Sequence, residues 1–431
     1  MDCPHHWEGG VTVHPMLGLV DAVAARLADP GTAPSVHQAH RQHLAYGPPG
    51  IALLHIERAA NGLGPWQHAH GWLAAASHGP LTSGPDSHPF YGMPAFAHAL
   101  ACAADYLPGS YQRALDAMDR QIEIDVRRRL DAAHRRIDAG CLPQLAEFDT
   151  IRGLTGYGAY LLRRNSGSPM ARAVLDYCVR LTEPIRQSGE DLPGWWTANG
   201  PSGSPDERFP GGHANTGMAH GIGGVLALLA LAARKSTVTD GHLRALRAIL
   251  AWLDRWQEET DRGPAWPYWA TRSELRTGRR AASKLRRPSW CYGTSGLARA
   301  QQLAALAIGD TERQITAENA LAAALSDPDQ LGATTDNGLC HGFAGLAHIA
   351  VRTAEDAHPS TVGRLRAAIP GLLTAICPVD NELERAATAL VSGTGAGPGL
   401  LDGAAGTALA LLAADTAAPP QSAWDSCLLI A

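Results

Sequence analysis

Apolar helical runs alternate with charged, amphipathic stretches along the chain, and a glycine turn precedes each apolar run. In most turns the first glycine is followed, after two residues, by a second one, as in Gly342 and Gly345. The first glycines of the seven turns are Gly47, Gly92, Gly153, Gly221, Gly293, Gly342 and Gly403. At Gly92 the second glycine is replaced by Ala95. Because glycine permits tight reversals and close backbone approach, each turn predicts the start of a closely packed helix.

The segments between the turns have room for a second, more polar helix. Residues 111–138, 241–257 and 312–325 carry apolar residues at helical spacing among charged ones, which predicts amphipathic helices. An outer helix, a glycine turn and an inner helix form one unit, and seven units have the period of a helical repeat protein. Because their spacing is irregular, we expect an all-α, closed α/α toroid (a double-layered helical barrel). Residues 1–431 are expected to form this single domain, with the turns at one end.

Two long loops interrupt the repeat. Residues 189–217 are rich in Gly, Pro, Ser and Trp, and residues 260–290 contain Pro264, Trp266 and a basic run. The basic residues of this run, set against the single acid Glu274, are Arg272, Arg276, Arg279, Arg280, Lys284, Arg286 and Arg287. Because both loops precede turns with candidate chemistry, we expect them to flank the site. The run suggests an acidic partner such as a leader peptide, although most charge runs are solvated faces.

Composition narrows the function classes. Apolar residues make up 45% of the 431 residues, and the net charge of −5 gives no general attraction to nucleic acid. Eight cysteines in a chain of this length do not form a disulfide scaffold. The first residues lack a signal-peptide pattern, and the longest apolar stretch, residues 225–233, is too short to span a bilayer. We therefore expect a soluble cytoplasmic protein with no integral membrane segment.

Three of the seven turns carry residue types that bind metals or transfer protons. Cys291 lies in Trp-Cys-Tyr-Gly, Cys340 and His341 lie in Cys-His-Gly, and a third turn has His220 in Ala-His-Gly. Two cysteines and one histidine form a sulfur and nitrogen donor set that suits zinc. Three protein ligands would leave one position open for a substrate, as in catalytic zinc sites. The pattern therefore predicts activation of a thiol.

Each of these residues also has a simpler interpretation when it is taken alone. A single cysteine at a helix start is usually a small buried residue, and a single histidine near an apolar helix usually packs there. The combination on aligned turns favours the metal. The other histidines lack such alignment, and we expect surface or packing roles for His37, His40, His68 and His70 and a solvated side chain for His213.

The turns at residues 219–224, 289–293 and 339–342 resemble the signature motifs of the lantibiotic cyclases, the LanC family. Their sequences are Ala-His-Gly-Ile-Gly-Gly, Ser-Trp-Cys-Tyr-Gly and Leu-Cys-His-Gly. The seven glycine turns are also similar to the repeats of that family, so the resemblance covers residues 46–415. The first turn departs from the family pattern because it contains two consecutive prolines, and the second lacks its second glycine.

The resemblance implies a fold, a cofactor and a reaction. Members of the family fold as an α/α toroid and bind one zinc ion through two cysteines and one histidine, which match Cys291, Cys340 and His341. They add cysteine thiols to dehydroalanine or dehydrobutyrine in a precursor peptide, leader plus core, and so close lanthionine and methyllanthionine thioether rings. A separate dehydratase prepares that peptide and is a second candidate partner.

The resemblance also implies roles for four further residues. The family's acid/base histidine matches His220, and its aspartate before the third turn matches Asp149. Its arginine four residues before the first zinc cysteine matches Arg287, and its active-site tyrosine matches Tyr292. Thiol addition at the β-carbon creates an enolate that needs a proton at the α-carbon, and His220 could deliver it. Arg287 would stabilise the enolate oxygen or hold Asp149. The alternatives are a helix cap for Asp149, a solvated charge for Arg287 and ring packing for Tyr292.

Three other functions are compatible with parts of this pattern. A LanC-like enzyme that adds glutathione or another small thiol to dehydrated residues would use the same site. Zinc prenyltransferases and toroidal glycosidases are also α/α toroids, but the carboxylates that a glycosidase needs do not appear near the turns, apart from Asp149 and Asp402. A non-catalytic peptide-binding scaffold in a biosynthetic complex would not need intact cysteine and histidine residues at these turns.

Overall fold

Helices make up most of the structure, a computed structural model that describes residues 14–34, 36–279, 287–376, 383–393, 397–416 and 418–431. The α-helices in these ranges are α1 (His14–Arg26), α2 (Pro48–Ala60), α3 (Trp66–Ala76), α4 (Met93–Tyr106), α5 (Gln112–Asp138), α6 (Leu145–Phe148), α7 (Leu154–Asn165), α8 (Pro169–Arg180), α9 (Ile222–Arg234), α10 (His242–Trp256), α11 (Arg272–Thr277), α12 (Thr294–Ile308), α13 (Thr311–Ala324), α14 (Pro328–Gly332), α15 (Phe343–Glu355), α16 (Val362–Ile376), α17 (Leu383–Ser392) and α18 (Ala404–Thr416). Short 3-10 helices cover Gln38–His40, Gly84–Asp86 and Trp424–Leu428.

Seven of these helices form a closed inner ring. They are α2, α4, α7, α9, α12, α15 and α18, and each begins directly after one of the seven first glycines. Each inner helix packs against the next one along the chain, and α18 packs back against α2. A second layer that includes α3, α5, α8, α10, α13 and α16 packs against this ring. The α/α toroid predicted from the turn pattern is therefore confirmed.

Inner and outer helices differ in how much of their surface they bury. In α9 every residue from Ile222 to Ala230 is buried, because the helix has protein on all sides. In α5 the buried residues form a stripe at helical spacing that includes Leu115, Met118, Ile122, Val126 and Leu130. A single apolar stripe is typical of a helix with one face in solvent. The outer helices α5, α10 and α13 lie where the amphipathic segments predicted them.

Two glycines show why the turns need this residue. Gly293 has a φ of 118°, which strains any side chain, and an added Cβ would overlap the carbonyl oxygen of Arg287. At Gly345, in the first turn of α15, an added Cβ would overlap the carbonyl oxygen of Leu339. Gly293 is therefore needed for its backbone conformation, whereas Gly345 is needed because the first turn of α15 packs closely against the residues that precede it.

The last residues of the chain fill the centre of the ring. The 3-10 helix Trp424–Leu428 contacts α4 and α7, and Trp424 is fully buried. The carbonyl oxygen of Trp424 accepts a hydrogen bond from His98 Nε2, and that of Leu428 accepts one from Trp290 Nε1, both at 3.0 Å. Because Trp290 precedes Cys291, this central segment also supports one of the candidate metal ligands.

Short strands lie in the two long loops and directly before them. They are β1 (Ile185–Gln187), β2 (Glu190–Leu192), β3 (Trp196–Thr197), β4 (His213–Asn215), β5 (Glu258–Thr260), β6 (Gly263–Ala265) and β7 (Trp269–Thr271). β1 pairs with β2, β5 pairs with β6, and β3, β4 and β7 form an antiparallel sheet with β4 in the middle. Asn215 pairs with Trp269, so this sheet joins the two loops. Strands of two or three residues are too short for an alternation pattern, and the sequence indicated only loops here.

The expectation that His213 is solvated is wrong. His213 is fully buried in the central strand β4, where its Nδ1 donates to the carbonyl oxygen of Asn199 at 2.8 Å. Burial lowers the pKa of His213 to about 4. The reason is tertiary, because pairing with Thr197 on one side and Thr271 on the other encloses the strand.

Two members of the basic run are paired within the chain. Arg272 and Arg276 both bind Glu190 in β2, the Nε atom of Arg276 at 2.5 Å, and Arg272 is also buried. These two arginines are therefore less available to an acidic partner than the sequence indicated. The members of the run that lie outside the described residues are Arg280, Lys284 and Arg286.

Two expectations drawn from the composition concern disulfides and membrane-spanning helices. The cysteines in the described ranges are free: Cys102, Cys141, Cys178, Cys291, Cys340 and Cys427. Within those same ranges, no helix combines the length and the apolar character that crossing a membrane requires.

Candidate metal centre and its pocket

Backbone hydrogen bonds join the turns around one end of the ring. Each bond runs from the amide of one turn to the carbonyl oxygen of the next: Thr150 to Ala219 (3.0 Å), Ala219 to Cys291 (3.4 Å), Cys291 to Cys340 (3.2 Å), Cys340 to Leu401 (2.9 Å) and Leu401 to Ala45 (3.1 Å). This chain of bonds fixes the turns relative to one another. Residues that are far apart in the sequence are therefore held on a common face.

Cys291 and Cys340 lie side by side on two of these turns. The thiol of Cys340 hydrogen-bonds the sulfur of Cys291, and this contact lowers the pKa of Cys291 although its burial opposes the shift. The charges of His341 and Arg287 lower the pKa of Cys291 further. The pair therefore holds one negative charge more readily than an isolated buried thiol would. Two adjacent sulfurs, one of them readily ionised, form half of a zinc site.

His341 is held by a carboxylate through one ring nitrogen. Its Nδ1 donates to Asp336 Oδ2 at 2.7 Å, and Asp336 Oδ1 accepts the amide of Gly338 at 2.9 Å. The hydrogen bond to Asp336 raises the pKa of His341, although burial opposes the rise. Because Nδ1 is engaged, Nε2 is the nitrogen available to a metal, and a carboxylate behind the ring is common at metal-binding histidines.

Asp402 is a third potential ligand beside Cys340 and His341. In the described part of the chain these three residues form one group whose ligand atoms all lie within 4.8 Å of one another. Asp402 Oδ1 lies 3.6 Å from His341 Nε2, is buried and has no hydrogen-bond partner in that part. Burial raises the pKa of Asp402. The predicted ligand Cys291 is not a member of this group, but its side chain contacts that of Cys340.

A second histidine and aspartate pair lies on two other turns. His220 Nδ1 donates to Asp149 Oδ2 at 2.7 Å, and the side chain of His220 is 35% exposed whereas that of Asp149 is buried. Asp149 Oδ1 accepts the amides of Arg152 at 2.6 Å and Gly153 at 2.9 Å. Asp149 thus caps the turn before α7 and orients His220 at the same time. Asp149 therefore makes the contacts of a helix cap and also contacts His220. Because Nδ1 of His220 faces the carboxylate, its Nε2 points away from it.

Arg287 brings a positive charge to the metal-ligand cluster. Its charge acts on both cysteines and on the carboxylates of Asp336 and Asp402, and it favours the ionised form of each. Its carbonyl oxygen accepts a hydrogen bond from the hydroxyl of Tyr268 at 2.9 Å. Arg287 therefore offsets part of the negative charge that two thiolates would concentrate here.

Tyr292 packs between the aromatic loop residues and His220. Its ring centre lies 6.2 Å from that of His220 and 5.5 Å from that of Tyr268. Its hydroxyl oxygen accepts a hydrogen bond from Asn215 Nδ2 at 3.1 Å. Burial raises the pKa of Tyr292, so the hydroxyl keeps its proton near neutral pH. The packing contacts that formed the alternative interpretation of this residue are therefore present.

A cavity of 390 Å³ connects the two centres. Its walls include Asp149, His220, Trp290, Cys340 and Asp402 and, from the first three turns, His43, Tyr46, His88 and Arg152. Burial lowers the pKa of both His43 and His88 to about 4, so these two side chains are polar and uncharged near neutral pH. The volume is in the range of small-molecule sites.

The sequence matches the model of a family described as "Lanthionine synthetase C-like protein" over residues 38–429. The chain belongs to the lanthionine synthetase C-like family. The resemblance read from the turn motifs is confirmed, and the family match extends beyond them at both ends.

A curated relative and a solved structure are similar to this member of the lanthionine synthetase C-like family. "Nisin biosynthesis protein NisC" from Lactococcus lactis subsp. lactis is 28% identical over 243 residues, which are 56% of this chain and 56% of NisC. The chain therefore aligns with little more than half of that relative. The solved structure of a nisin cyclase matches with a TM-score of 0.75 at 20% identity and covers 96% of each chain. At this identity the match shows the shared toroid fold.

The donors of this lanthionine synthetase C-like protein fit a zinc ion. The two sulfurs are adjacent, and the imidazole Nε2 is left free by the hydrogen bond at Nδ1. A buried carboxylate oxygen without a partner is costly unless a cation or a proton compensates it, and Asp402 Oδ1 is such an atom. Sulfur, nitrogen and oxygen donors of this kind are those that zinc accepts.

One position of the repeat recurs at the site of this lanthionine synthetase C-like protein. The residues directly before the first glycines are Tyr46, Tyr91, Arg152, His220, Tyr292, His341 and Asp402. Four of them, Tyr46, Arg152, His220 and Asp402, line the cavity. His220, Tyr292 and His341 were predicted from this position, whereas Asp402 was not predicted as a metal ligand although it shares the position. Asp336 also has an equivalent, Asn215, which lies six residues before Gly221 as Asp336 lies six residues before Gly342.

Proposed function

We propose that this protein is a zinc-dependent cyclase that adds cysteine thiols to dehydroalanine or dehydrobutyrine in a precursor peptide and forms lanthionine and methyllanthionine rings. The observation that carries the proposal is that Cys340 and His220 face one cavity. A sulfur nucleophile beside Cys340 and a proton donor at His220 would meet the same alkene there. The family match and the similarity to a nisin biosynthesis protein support this reaction class.

Cys291, Cys340 and His341 would hold the zinc ion. When it is bound, zinc lowers the pKa of a coordinated thiol and so supplies a thiolate near neutral pH. The chain's own residues prepare the site for this. Asp336 orients the imidazole of His341, and Arg287 offsets negative charge.

His220 would provide the proton that completes the addition. As the sulfur bonds to the β-carbon, the carbon–carbon π bond breaks and its electrons move to the neighbouring carbonyl as an enolate. The α-carbon then takes a proton from His220 Nε2, while Asp149 holds Nδ1 and stabilises the imidazolium before transfer. Proton transfer by a positioned histidine contributes about 10²- to 10⁴-fold to a rate.

Arg287 and Tyr292 are not among the cavity walls given above and would assist this chemistry through neighbouring residues. Arg287 supplies positive charge near the metal ligands, where negative charge develops on the enolate oxygen. Tyr292 keeps its proton and is fixed by Asn215, so it would orient the ring of His220 through packing. The uncharged His43 and His88 would face the peptide backbone.

The substrate would be a peptide that another enzyme has already dehydrated. The reaction consumes dehydroalanine or dehydrobutyrine, and no residue assigned above forms those groups from serine or threonine. We therefore propose a dehydratase as the preceding enzyme, a precursor peptide with leader and core as the partner, and the cytoplasm as the place of action.

The test combines the purified protein, a dehydrated precursor peptide that contains cysteine, and a thiol-alkylating reagent. Ring closure leaves the peptide mass unchanged and removes one alkylatable thiol per ring, so the alkylated product should carry fewer labels. Metal analysis should find about one zinc per chain, as expected for a catalytic zinc site. Full activity of a metal-free preparation would contradict the proposal.

The same experiment separates the alternatives. An enzyme that adds a small thiol would increase the peptide mass by one glutathione per modified residue when glutathione is present. A peptide-binding scaffold would bind the peptide and leave both its mass and its free thiols unchanged. A cyclase alone reduces the number of free thiols without adding mass.

A further inference from the structure

Asp402 and Asp336 contact the same imidazole from opposite sides and in different ways. Asp336 accepts a hydrogen bond from His341 Nδ1 at 2.7 Å. Asp402 Oδ1 lies 3.6 Å from His341 Nε2, which is too long for a hydrogen bond. That oxygen is buried and unpartnered among the described residues, beside the nitrogen that a metal would use. The two carboxylates therefore have different roles.

Asp402 also has the position of a ligand. It precedes Gly403 as His341 precedes Gly342, so the two side chains come from equivalent points of neighbouring turns. The amide of Cys340 donates to the carbonyl oxygen of Leu401 at 2.9 Å, which fixes the two turns side by side. The potential ligand atoms of Cys340, His341 and Asp402 consequently lie within 4.8 Å of one another without a metal to hold them.

We propose that Asp402 is a displaceable fourth ligand, which occupies the remaining position of the metal bound by Cys291, Cys340 and His341 until a substrate thiol replaces it. This inference rests on the proposed function, and it modifies the expectation that the fourth position is simply open. It concerns the resting site rather than the addition reaction.

Donor chemistry explains why the exchange runs towards sulfur. A thiolate is a softer donor than a carboxylate and suits zinc at least as well, so an incoming thiol can replace Asp402. The thiol releases its proton to solvent, its sulfur takes the ligand position, and Asp402 leaves as a carboxylate. One singly charged anion replaces another, so the charge on the metal and its four donors does not change. Asp402 lines the cavity, and therefore the exchange takes place where the substrate enters.

Cobalt(II) in place of zinc gives a test that does not depend on activity, because its absorption spectrum reports the number and kind of donors. The probes are Co²⁺ and a small thiol, N-acetylcysteine methyl ester. Without thiol, Asp402→Asn should change the visible spectrum of the cobalt protein. With saturating thiol, the spectra of the wild type and the variant should become the same, because Asp402 is then no longer a ligand.

Zinc affinity supplies a second measurement, with Asp336→Asn as the matched control. In competition with a chelator, Asp402→Asn should weaken zinc binding about tenfold without thiol and leave it unchanged with saturating thiol. Asp336→Asn should weaken zinc binding about 10- to 100-fold under both conditions, since His341 stays a ligand throughout. Circular dichroism melting of each variant shows whether it is folded.

The outcomes separate this inference from the proposed function. Identical cobalt spectra of wild type and Asp402→Asn without thiol would overturn the role of Asp402 and leave the cyclase proposal standing. A spectral difference that persists at saturating thiol would show a permanent ligand and would also overturn the inference. Failure of the folded wild-type protein to bind either metal would overturn both.

Discussion

Two histidine and aspartate pairs in this molecule have the same chemical groups and opposite surroundings. His220 and Asp149 are 2.7 Å apart, and His220 is 35% exposed at the cavity. His348 and Asp425 are 3.0 Å apart, but they are 0% and 1% exposed at the centre of the ring. The first pair can reach a substrate, and the second cannot. Access, rather than composition, separates a candidate catalytic pair from a structural one.

The buried pair belongs to a network that ties the C-terminal segment to the inner ring. Trp424 stacks on the ring of His348, and Arg352 Nε lies 3.2 Å from Asp425 Oδ2. Although burial would raise it, the pKa of Asp425 is lowered by the hydrogen bond from His348 and by the charge of Arg352. The network therefore holds an ionised carboxylate in the core, where loss of a partner is expensive.

The largest effect is expected at the exposed pair. His220→Asn should slow ring closure about 10²- to 10⁴-fold because it removes the proton donor. The free energy of unfolding should fall by about 1 kcal/mol, since Asp149 loses one hydrogen bond but keeps those from the amides of Arg152 and Gly153. Alkylation of the remaining thiols at timed intervals gives the rate, and urea unfolding gives the stability.

His37, an exposed histidine outside the cavity walls given above, supplies the control for that variant. His37→Asn should leave both the rate and the stability at wild-type values. A wild-type rate for His220→Asn would remove His220 from the mechanism, and the exposed pair would then have no catalytic meaning.

The buried pair should show the reverse behaviour. Asp425→Ala should lower the free energy of unfolding by about 3–5 kcal/mol, because it leaves His348 buried without its carboxylate and leaves Arg352 with Glu355 alone. Ring closure per folded molecule should be unchanged, as the pair lies away from the cavity. Urea unfolding measures the loss, and a variant as stable as wild type would contradict a structural role.

Asp149 allows the two tasks of one carboxylate to be separated. Asp149→Asn keeps an oxygen for the amides of Arg152 and Gly153 but loses the charge that faces His220. We expect the rate to fall about 10- to 100-fold and the stability to fall by less than about 1 kcal/mol. Asp149→Ala removes the cap as well and should cost more stability at a similar rate. Equal stabilities of the two variants would show that the cap contributes little.

Stability should also depend on pH through histidines that are buried against carbonyl oxygens. Burial lowers the pKa of His98 to about 3, and it lowers the pKa of His55 and His213 to about 4. Their pKa in the unfolded chain is about 6.5, so the unfolded state takes up protons first as the pH falls. Their contribution is intact above pH 6.5 and is lost as the pH falls from there to about 4 for His55 and His213 and to about 3 for His98, by at most about 1.4 kcal/mol per pH unit for each histidine.

This pH effect can be assigned with one variant. Urea unfolding at several values from about pH 7 to about pH 5 should show a shallower loss of stability for His98→Gln than for the wild type, because one titrating group is gone. Parallel curves for the two proteins would show that His98 does not contribute to acid destabilisation.

The elements of the fold could be predicted from the sequence because their signals are local. A few neighbouring residues are enough to distinguish a helix that is apolar on all sides, such as α9, from one with a single apolar stripe, such as α5. The turn glycines mark helix starts through backbone conformation and close approach, which also involve near neighbours. The irregular repeat then indicated a closed ring before any contact was known.

The residues of the site could be predicted only where they lie at equivalent positions of successive turns. Cys291, Cys340, His341 and His220 were named because they lie on aligned turns. Asp402 shares the register, yet a single aspartate beside a glycine has many simpler explanations, and only its distance to His341 made it a potential ligand. Asp336 lies six residues before Gly342, as Asn215 lies six residues before Gly221, but only the structure shows that it holds the imidazole of His341.

The sequence by itself determined which segments form helices, where the turns fall and which side chains are available for metal and proton chemistry, since these depend on residues close together in the chain. Only the tertiary structure decided that His213 is buried, that Trp424 fills the ring and that the His220 pair is open whereas the His348 pair is closed. Those properties depend on ring closure and on hydrogen bonds between distant turns. The pattern of any one segment contains no information about what packs against it from the far side of the molecule.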